Sequence, residues 1–197
     1  MEAWLRVSVL AVMTTIFAVP IVVIVKSRTI REDPVVILVL NMTIILFSFS
    51  CVTLVSFISD LLTENSPPIL LCSVLTAFGL SMFGGFKLST FFLAIEQYIA
   101  VVFTLRRYQL MSRWVSTMVS LNWVYIIAFA SFSAASGFFG FKTVADFHLH
   151  MFGMDHQDSK CGSWKNGGIV FFAIQASSIL LSIATYALLV YTNVLCM

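Results

Sequence analysis

Five long apolar runs, separated by short polar segments, make up most of the chain. By residue number they cover 7–25, 34–58, 69–103, 115–139 and 167–191. Each run is long enough to cross roughly 30 Å of hydrocarbon, which takes about 20 helical residues. None alternates apolar and polar residues as the roughly ten-residue strands of a membrane β-barrel do. The pattern predicts an all-α fold, an integral membrane helical bundle, because a helix satisfies its own backbone hydrogen bonds in lipid.

The composition agrees with a membrane location. The 197 residues are 60% hydrophobic and 10% charged, whereas soluble domains are about 45–50% apolar and about 25% charged. The mean hydropathy is +1.01. The net charge is only +2, and the bases do not form the clustered surface that nucleic-acid binding requires. These figures argue against a soluble enzyme and a nucleic-acid-binding protein, and they make the lipid bilayer the expected partner.

The first apolar run has a second interpretation, a cleaved signal peptide. Arg6 is the only base in front of it, and Pro20 interrupts the run, which is longer than the apolar region of a typical signal peptide. No small-residue cleavage site follows, since the chain continues Lys26-Ser27-Arg28. We therefore favour a membrane span.

The bases between the runs predict the orientation, because short loops rich in Lys and Arg stay in the cytoplasm. The first and third loops together carry six bases: Lys26, Arg28, Arg31, Arg106, Arg107 and Arg113. The second loop carries none, and the fourth balances three lysines with three aspartates. We expect the N-terminus outside and the C-terminus in the cytoplasm.

The four cysteines are distributed unequally across this topology. Cys72 lies at the outer start of the third span and Cys161 in the second outer loop, on the oxidising side where disulfides persist. Cys51, inside the second span, and Cys196, at the inner end of the fifth, cannot reach them. The topology therefore favours a Cys72–Cys161 disulfide, and the alternative is two unpaired thiols.

The third run ends in Ile95-Glu96-Gln97-Tyr98-Ile99-Ala100 and continues to Leu105-Arg106-Arg107-Tyr108. This string resembles rhodopsin-like G protein-coupled receptors, whose third helix ends in an acid-Arg-Tyr triplet, usually followed by Ile/Val-Ala and then by Pro-Leu-Arg/His-Tyr. Cys72 lies 25 residues before Gln97 and Trp123 26 residues after it, which match the family's spacings. The resemblance covers all 197 residues as helices one to five of an expected seven, in one C-terminally incomplete receptor domain. It is nearest to vertebrate odorant receptors, particularly a divergent fish group.

The resemblance implies a chemosensory receptor in the plasma membrane. A small-molecule ligand would bind between the helices, and a heterotrimeric G protein would bind at the cytoplasmic ends. Receptor oligomers are a further implied partner, and no cofactor or metal is implied. The implied G protein-coupling residues are Glu96, Gln97, Tyr98, Arg106 and Arg107. The implied ligand-facing residues are Gly79, Leu80 and Phe83, and Trp123 is the implied packing residue of helix four.

Several positions depart from the family pattern. The Arg of the triplet is Gln97, which is neutral and cannot form a bidentate ionic pair. Glu96 therefore lacks its neighbour in the helix, and it is either solvated or held by Arg106 or Arg107. The family's sodium site falls on Leu46 and Phe86, so it looks absent. Gly79 stands where amine receptors carry an Asp, which argues against a protonated amine as ligand.

Lys87 is an unusual residue for the middle of an apolar span. It lies 15 residues after Cys72, about 22 Å along a helix. A Lys at the centre of a membrane costs at least about 2.5–3.5 kcal/mol and usually faces the bundle interior with a partner. We hypothesise that the partner is an acidic ligand group or lies on a helix that the chain lacks. The alternative is that Lys87 snorkels, is deprotonated or meets backbone carbonyls.

Other residues have plainer explanations. Gly79, Gly84 and Gly85, with Ser81 and Ser89, make helix three rich in small residues, which favours close packing somewhat more than ligand contact. The histidines of the second outer loop match no zinc pattern. No catalytic constellation is present, so we expect no enzyme activity.

Two other functions remain open. The first is a truncated, non-signalling receptor fragment that associates with full-length receptors. The second is a small transporter, which ranks last because no inverted repeat or pair of broken helices is visible. We expect that five helices alone do not signal.

Overall fold

The structure is a computed structural model, and it describes residues 2–27, 33–62, 69–138 and 168–195. These residues form five α-helices: α1 (Glu2–Lys26), α2 (Pro34–Leu62), α3 (Ile69–Val102), α4 (Arg107–Phe138) and α5 (Gly168–Leu195). All five are long and apolar enough to cross a membrane. The predicted all-α fold with five candidate spans is confirmed, and it suggests a membrane protein.

Two helices begin earlier than the apolar runs predict. α1 starts at Glu2 instead of residue 7, and α4 starts at Arg107 instead of residue 115. The extra residues include arginines and other polar side chains, which form helix readily but lower the local hydropathy. An apolar run therefore marks the part of a helix that suits hydrocarbon, and it does not include the polar first turns of α1 and α4.

The two prolines near the first loop behave differently from each other. α1 continues through Pro20, so the first apolar run is one helix, as the span predicted over residues 7–25 requires. Pro34 is the first residue of α2, where its missing N–H costs nothing. The Asp33 carboxylate accepts a hydrogen bond of 2.9 Å from the Val35 N–H. Asp33 therefore caps α2 in the usual way for a side-chain oxygen at a helix start.

α3 is the central helix of the bundle. It packs against α2, α4 and α5, while α1 packs against α2. Two clusters of buried apolar residues fill the space around α3, one built from Leu38, Phe92, Met111, Val115 and Met118 and the other from Ile45, Met82 and Ile126. Any rearrangement of α3 must therefore repack three neighbouring helices.

Adjacent glycines bring α4 close to α3. A Cβ atom on Gly84 would lie 2.7 Å from the Tyr125 hydroxyl oxygen, and one on Gly85 would lie 2.5 Å from the Ile126 side chain. Gly79 differs, because its nearest neighbour would be Val52 of α2 at 3.8 Å, an ordinary contact. Gly84 and Gly85 are therefore packing residues of the α3–α4 interface.

Candidate functional site

The triplet at the end of α3 lies beside the turn that leads into α4. The chain turns over residues 103–106, with a hydrogen bond of 2.9 Å from the Arg106 N–H to the Phe103 carbonyl. α4 then starts at Arg107. This tight connection returns the Arg107 side chain to α3, where it meets Glu96.

Glu96 and Arg107 form an ion pair at this end of the bundle. Arg107 donates from Nε and Nη2 to the same carboxylate oxygen, Glu96 Oε1, at 2.8 and 2.5 Å. The Glu96 side chain is 5% exposed and the Arg107 side chain 44% exposed. The pair is therefore neither a surface ion pair nor a fully buried one. Its cation neutralises a carboxylate that few water molecules can reach.

The other predicted coupling residues have different surroundings. Gln97 and Arg106 are exposed. The Tyr98 ring lies 6.1 Å from the Tyr191 ring of α5, which links the triplet to a third helix. The structure thus brings Glu96, Arg107 and Tyr98 into packed contacts between helices and leaves Gln97 and Arg106 at the surface.

A small cavity and an exposed apolar side chain adjoin the pair. The cavity has a volume of about 220 Å³, and it is lined by Asp33, residues 34 and 35 of α2, residues 104 and 105 of the turn, and residues 107, 108 and 111 of α4. Leu105 is fully exposed at the tip of the turn. Leu105 was not predictable as an exposed residue, because one apolar residue next to two arginines carries no signal in the sequence.

A buried polar network joins α2, α3 and α4 in the middle of the bundle. Trp123 Nε1 donates to Asn41 Oδ1 at 2.9 Å. The Asn41 and Asn122 side-chain amides both donate to the Ser89 hydroxyl, at 3.4 and 2.5 Å. Asn41, Ser89 and Asn122 are 5% exposed or less. Because buried polar groups must be paired, this network holds the three helices in register.

The sequence did not predict that Ser89 and Asn122 belong to the same hydrogen-bonded network as Trp123. Single Ser and Asn residues within apolar runs are common and carry little signal by themselves. Asn122 Oδ1 accepts no hydrogen bond from any residue that the structure describes. The Asn122 side chain is held by its hydrogen bond to Ser89 alone, whereas the Asn41 amide uses both its oxygen and its nitrogen.

The predicted ligand-facing residues occupy one half of α3 but differ in exposure. Leu80 is 3% exposed and belongs to the packed interior. Gly79 and Phe83 are half-buried. The Lys87 Nζ atom lies 5.5 Å from the centre of the Phe83 ring, and Lys87 is half-buried as well. Phe83 and Lys87 are therefore the pair of predicted pocket residues that the structure places in contact.

The aromatic ring offsets only part of the cost of the Lys87 ammonium in a membrane. A cation–π contact contributes about 0.5–1 kcal/mol at an exposed position and about 2 kcal/mol when desolvated. The cost at the membrane centre is at least about 2.5–3.5 kcal/mol. Among the described residues no carboxylate pairs with Lys87, and the one acid of α3, Glu96, is held by Arg107.

Some predicted features lie outside the described residues. Cys161 and the histidines of the fourth loop fall between residues 139 and 167. Cys72 lies in the first turn of α3, but its side chain is not described, so the Cys72–Cys161 disulfide stays a prediction. Within the described ranges no group of three or more His, Cys, Asp or Glu side chains is placed to hold a metal ion.

In comparisons with protein-family models, curated proteins and solved structures, the chain shows no match. The case for a function therefore depends on the residues and contacts of this chain.

Proposed function

We propose that the chain forms helices one to five of a rhodopsin-like G protein-coupled receptor, with a chemosensory, odorant-like role. The observation that carries the proposal is the end of α3. There Glu96, next to Gln97 and Tyr98, is buried and paired with the first residue of α4. The triplet that resembles the family motif is thus part of a contact between α3 and α4, and it does not lie in a solvated tail.

The central position of α3 suggests how a signal would cross the bundle. α3 packs against three helices, so a ligand that favours a different packing near Phe83 would also bias its far end. The Glu96–Arg107 pair and the Tyr98–Tyr191 contact lie at that end and are the groups whose partners would change. A ligand shifts such an equilibrium only through a difference in affinity for the two packings.

The surface around the turn has the character of a protein contact. Leu105 is fully exposed, and the exposed side chains of Gln97 and Arg106 lie at the same end of the bundle. We propose that a G protein binds here, on the cytoplasmic side. This orientation also puts the six bases that separate the first two apolar runs, and the third from the fourth, in the cytoplasm. The protein would then lie in the plasma membrane with its N-terminus outside.

Gln97 limits how this surface is expected to work. An Arg at this position would carry a charge, whereas Gln offers only neutral hydrogen bonds. Glu96 is already neutralised by Arg107, so the bundle does not require an Arg at 97 for its own stability. We propose that Leu105 and Arg106 carry the contact to the G protein in place of the missing Arg.

A second candidate function is a non-signalling fragment that associates with full-length receptors. It is favoured by the apolar side chains on one side of α5, where Leu180, Ile183 and Val190 are all exposed. Lipid covers such a face in a membrane, and so does another helix. Association between helices in lipid depends on packing contacts of this kind.

Two measurements test these proposals. The first is the sequence of the transcript beyond the codon for Met197. The receptor function predicts two further apolar spans, the second with Asn-Pro-x-x-Tyr. A stop codon directly after Met197 contradicts it and favours the associating fragment.

The second measurement is guanine-nucleotide exchange on a panel of G proteins. We expect no exchange with the 197-residue chain alone and ligand-dependent exchange with the chain extended by its downstream spans. Exchange driven by the 197 residues alone would overturn the requirement for further helices. Co-precipitation of the chain with a full-length receptor, without any exchange, would support the second candidate.

A further inference from the structure

A stripe along α3 combines a glycine, an aromatic ring and a positive charge. Gly79, Phe83 and Lys87 follow one another at four-residue intervals, so they lie one above the other on one face of the helix. We call these three residues the Lys87 stripe. All three are half-buried, so each lies between the packed interior and open surroundings.

The stripe lies away from the contact that Gly85 makes with Ile126 of α4. Gly85 faces Ile126 of α4, and Lys87, two residues further, is rotated by about 200° around the helix axis. α2 approaches α3 at Gly79, and α5 approaches it at Tyr98. By the same rotation, Lys87 points between these two directions. The stripe therefore lies on the part of α3 between its contacts with α2 and with α5.

The ammonium of Lys87 points along this stripe toward the start of α3. Helical side chains lean toward the N-terminus of their helix, and the Lys87 Nζ atom lies 5.5 Å from the centre of the Phe83 ring, one turn earlier. Beyond Phe83 the stripe ends at Gly79, which has no side chain and whose nearest neighbour on α2 is Val52. The stripe thus presents a cation at its deep end and apolar surface leading up to it.

The described part of the chain does not supply an anion for this cation. It contains four acidic residues: Glu2, Asp33, Asp60 and Glu96. The first three lie at or near helix ends, as the bounds of α1 and α2 show, and the fourth is held by Arg107. A negative group that pairs with Lys87 must therefore come from outside the described helices.

We infer that the Lys87 stripe binds a small-molecule monocarboxylate with an apolar tail. The carboxylate accepts hydrogen bonds from the Lys87 ammonium, and the tail lies over Phe83 toward Gly79. A charge-assisted hydrogen bond of this kind is roughly twice as strong as a neutral one. The inference rests on the receptor function proposed above, whose ligand class it names.

The test uses the 197-residue chain in nanodiscs of phosphatidylcholine, which carries no net charge, with lysine labelled with ¹⁵N at Nζ. Octanoate is the probe, and 1-octanol is the neutral probe of the same length. We expect octanoate to shift the Lys87 resonance with a saturating dose dependence and 1-octanol to leave it in place. The Lys26 resonance, from the end of α1, is the internal control.

Two variants separate charge from structure. Lys87→Met keeps an unbranched apolar side chain, and we expect it to weaken octanoate binding about tenfold or more, the worth of one charge-assisted hydrogen bond. Lys87→Arg keeps the charge, and we expect it to retain most of the affinity. The helical circular dichroism of both variants verifies that they fold.

Three results would overturn the inference. They are no saturating shift at Lys87, an equal shift at Lys26, and unchanged octanoate binding by Lys87→Met. Cross-linking of Lys87 to a protein carboxylate by a carbodiimide, with no octanoate binding, would assign the charge to another helix and also contradict the ligand. Octanoate binding without nucleotide exchange in the extended receptor would leave this inference standing and refute the signalling function.

Discussion

A single added methyl group at Gly85 should destabilise the bundle, whereas the same group at Gly79 should not. The Cβ of Gly85→Ala would lie 2.5 Å from two carbons of Ile126 and 3.3 Å from Asn122 Oδ1. Ile126 is fully buried, so it has no open space into which to move. The Cβ of Gly79→Ala would lie 3.8 Å from Val52, which is a normal contact distance.

The magnitudes follow from two opposing terms. Overpacking a buried site costs typically about 1–3 kcal/mol, and replacing Gly by Ala inside a helix contributes about 0.5–1 kcal/mol in return. Gly85→Ala should therefore lower the free energy of unfolding by about 0–2.5 kcal/mol. Gly79→Ala has only the favourable term, so its stability should stay level or rise by up to about 1 kcal/mol.

Unfolding in mixed micelles, followed by circular dichroism, measures the difference between the two variants. Both carry the same substitution in the same helix, so helix propensity and the unfolded state change equally. Equal stabilities of Gly85→Ala and Gly79→Ala would refute the close approach of α4 to α3. A larger loss for Gly79→Ala would place the tight interface on the α2 side instead.

Two further substitutions test the polar contacts between helices. Trp123→Phe keeps an aromatic ring but removes the donor to Asn41, so we expect a loss of about 1–3 kcal/mol in unfolding free energy, while Trp114→Phe, at an exposed position of α4, should change it by less than about 0.5 kcal/mol. Arg107→Gln leaves the buried Glu96 carboxylate without its cation, and we expect a loss of about 1–3 kcal/mol, reduced by the partial exposure of the guanidinium. The same unfolding assay measures both, and a double substitution with Glu96→Gln should recover part of the second loss. Full additivity of that pair would contradict the ion pair.

Much of the fold follows from local composition. Each apolar run corresponds to one helix, and all five predicted ends of the runs lie within four residues of the observed helix ends. The clear errors are the starts of α1 and α4, where polar residues are helical. Hydropathy measures how well a segment suits hydrocarbon, whereas a helix continues for as long as its backbone hydrogen bonds are made.

The candidate site was predictable in its residue types but not in its pairings. Glu96 had two possible partners in the sequence, Arg106 and Arg107. Adjacent residues at the start of a helix point about 100° apart, so only the geometry of the turn selects Arg107. Trp123 was recognisable from its spacing, but its acceptor on Asn41 lies 82 residues away and depends on how α2 and α4 approach each other.

The sequence by itself determined the all-α fold class, the number of helices in the described parts of the chain and the places where charge interrupts apolar surface, Lys87 above all. These properties depend on the transfer of each segment between water and hydrocarbon, which adds up residue by residue along the chain. The tertiary structure alone decided that α3 is central, that Gly85 is tightly packed while Gly79 is not, and that the Lys87 ammonium lies over the Phe83 ring. Apolar residues surround each helix, so their periodicity does not distinguish the face that meets lipid from the face that meets a neighbour. That choice depends on how side chains of different helices fit together.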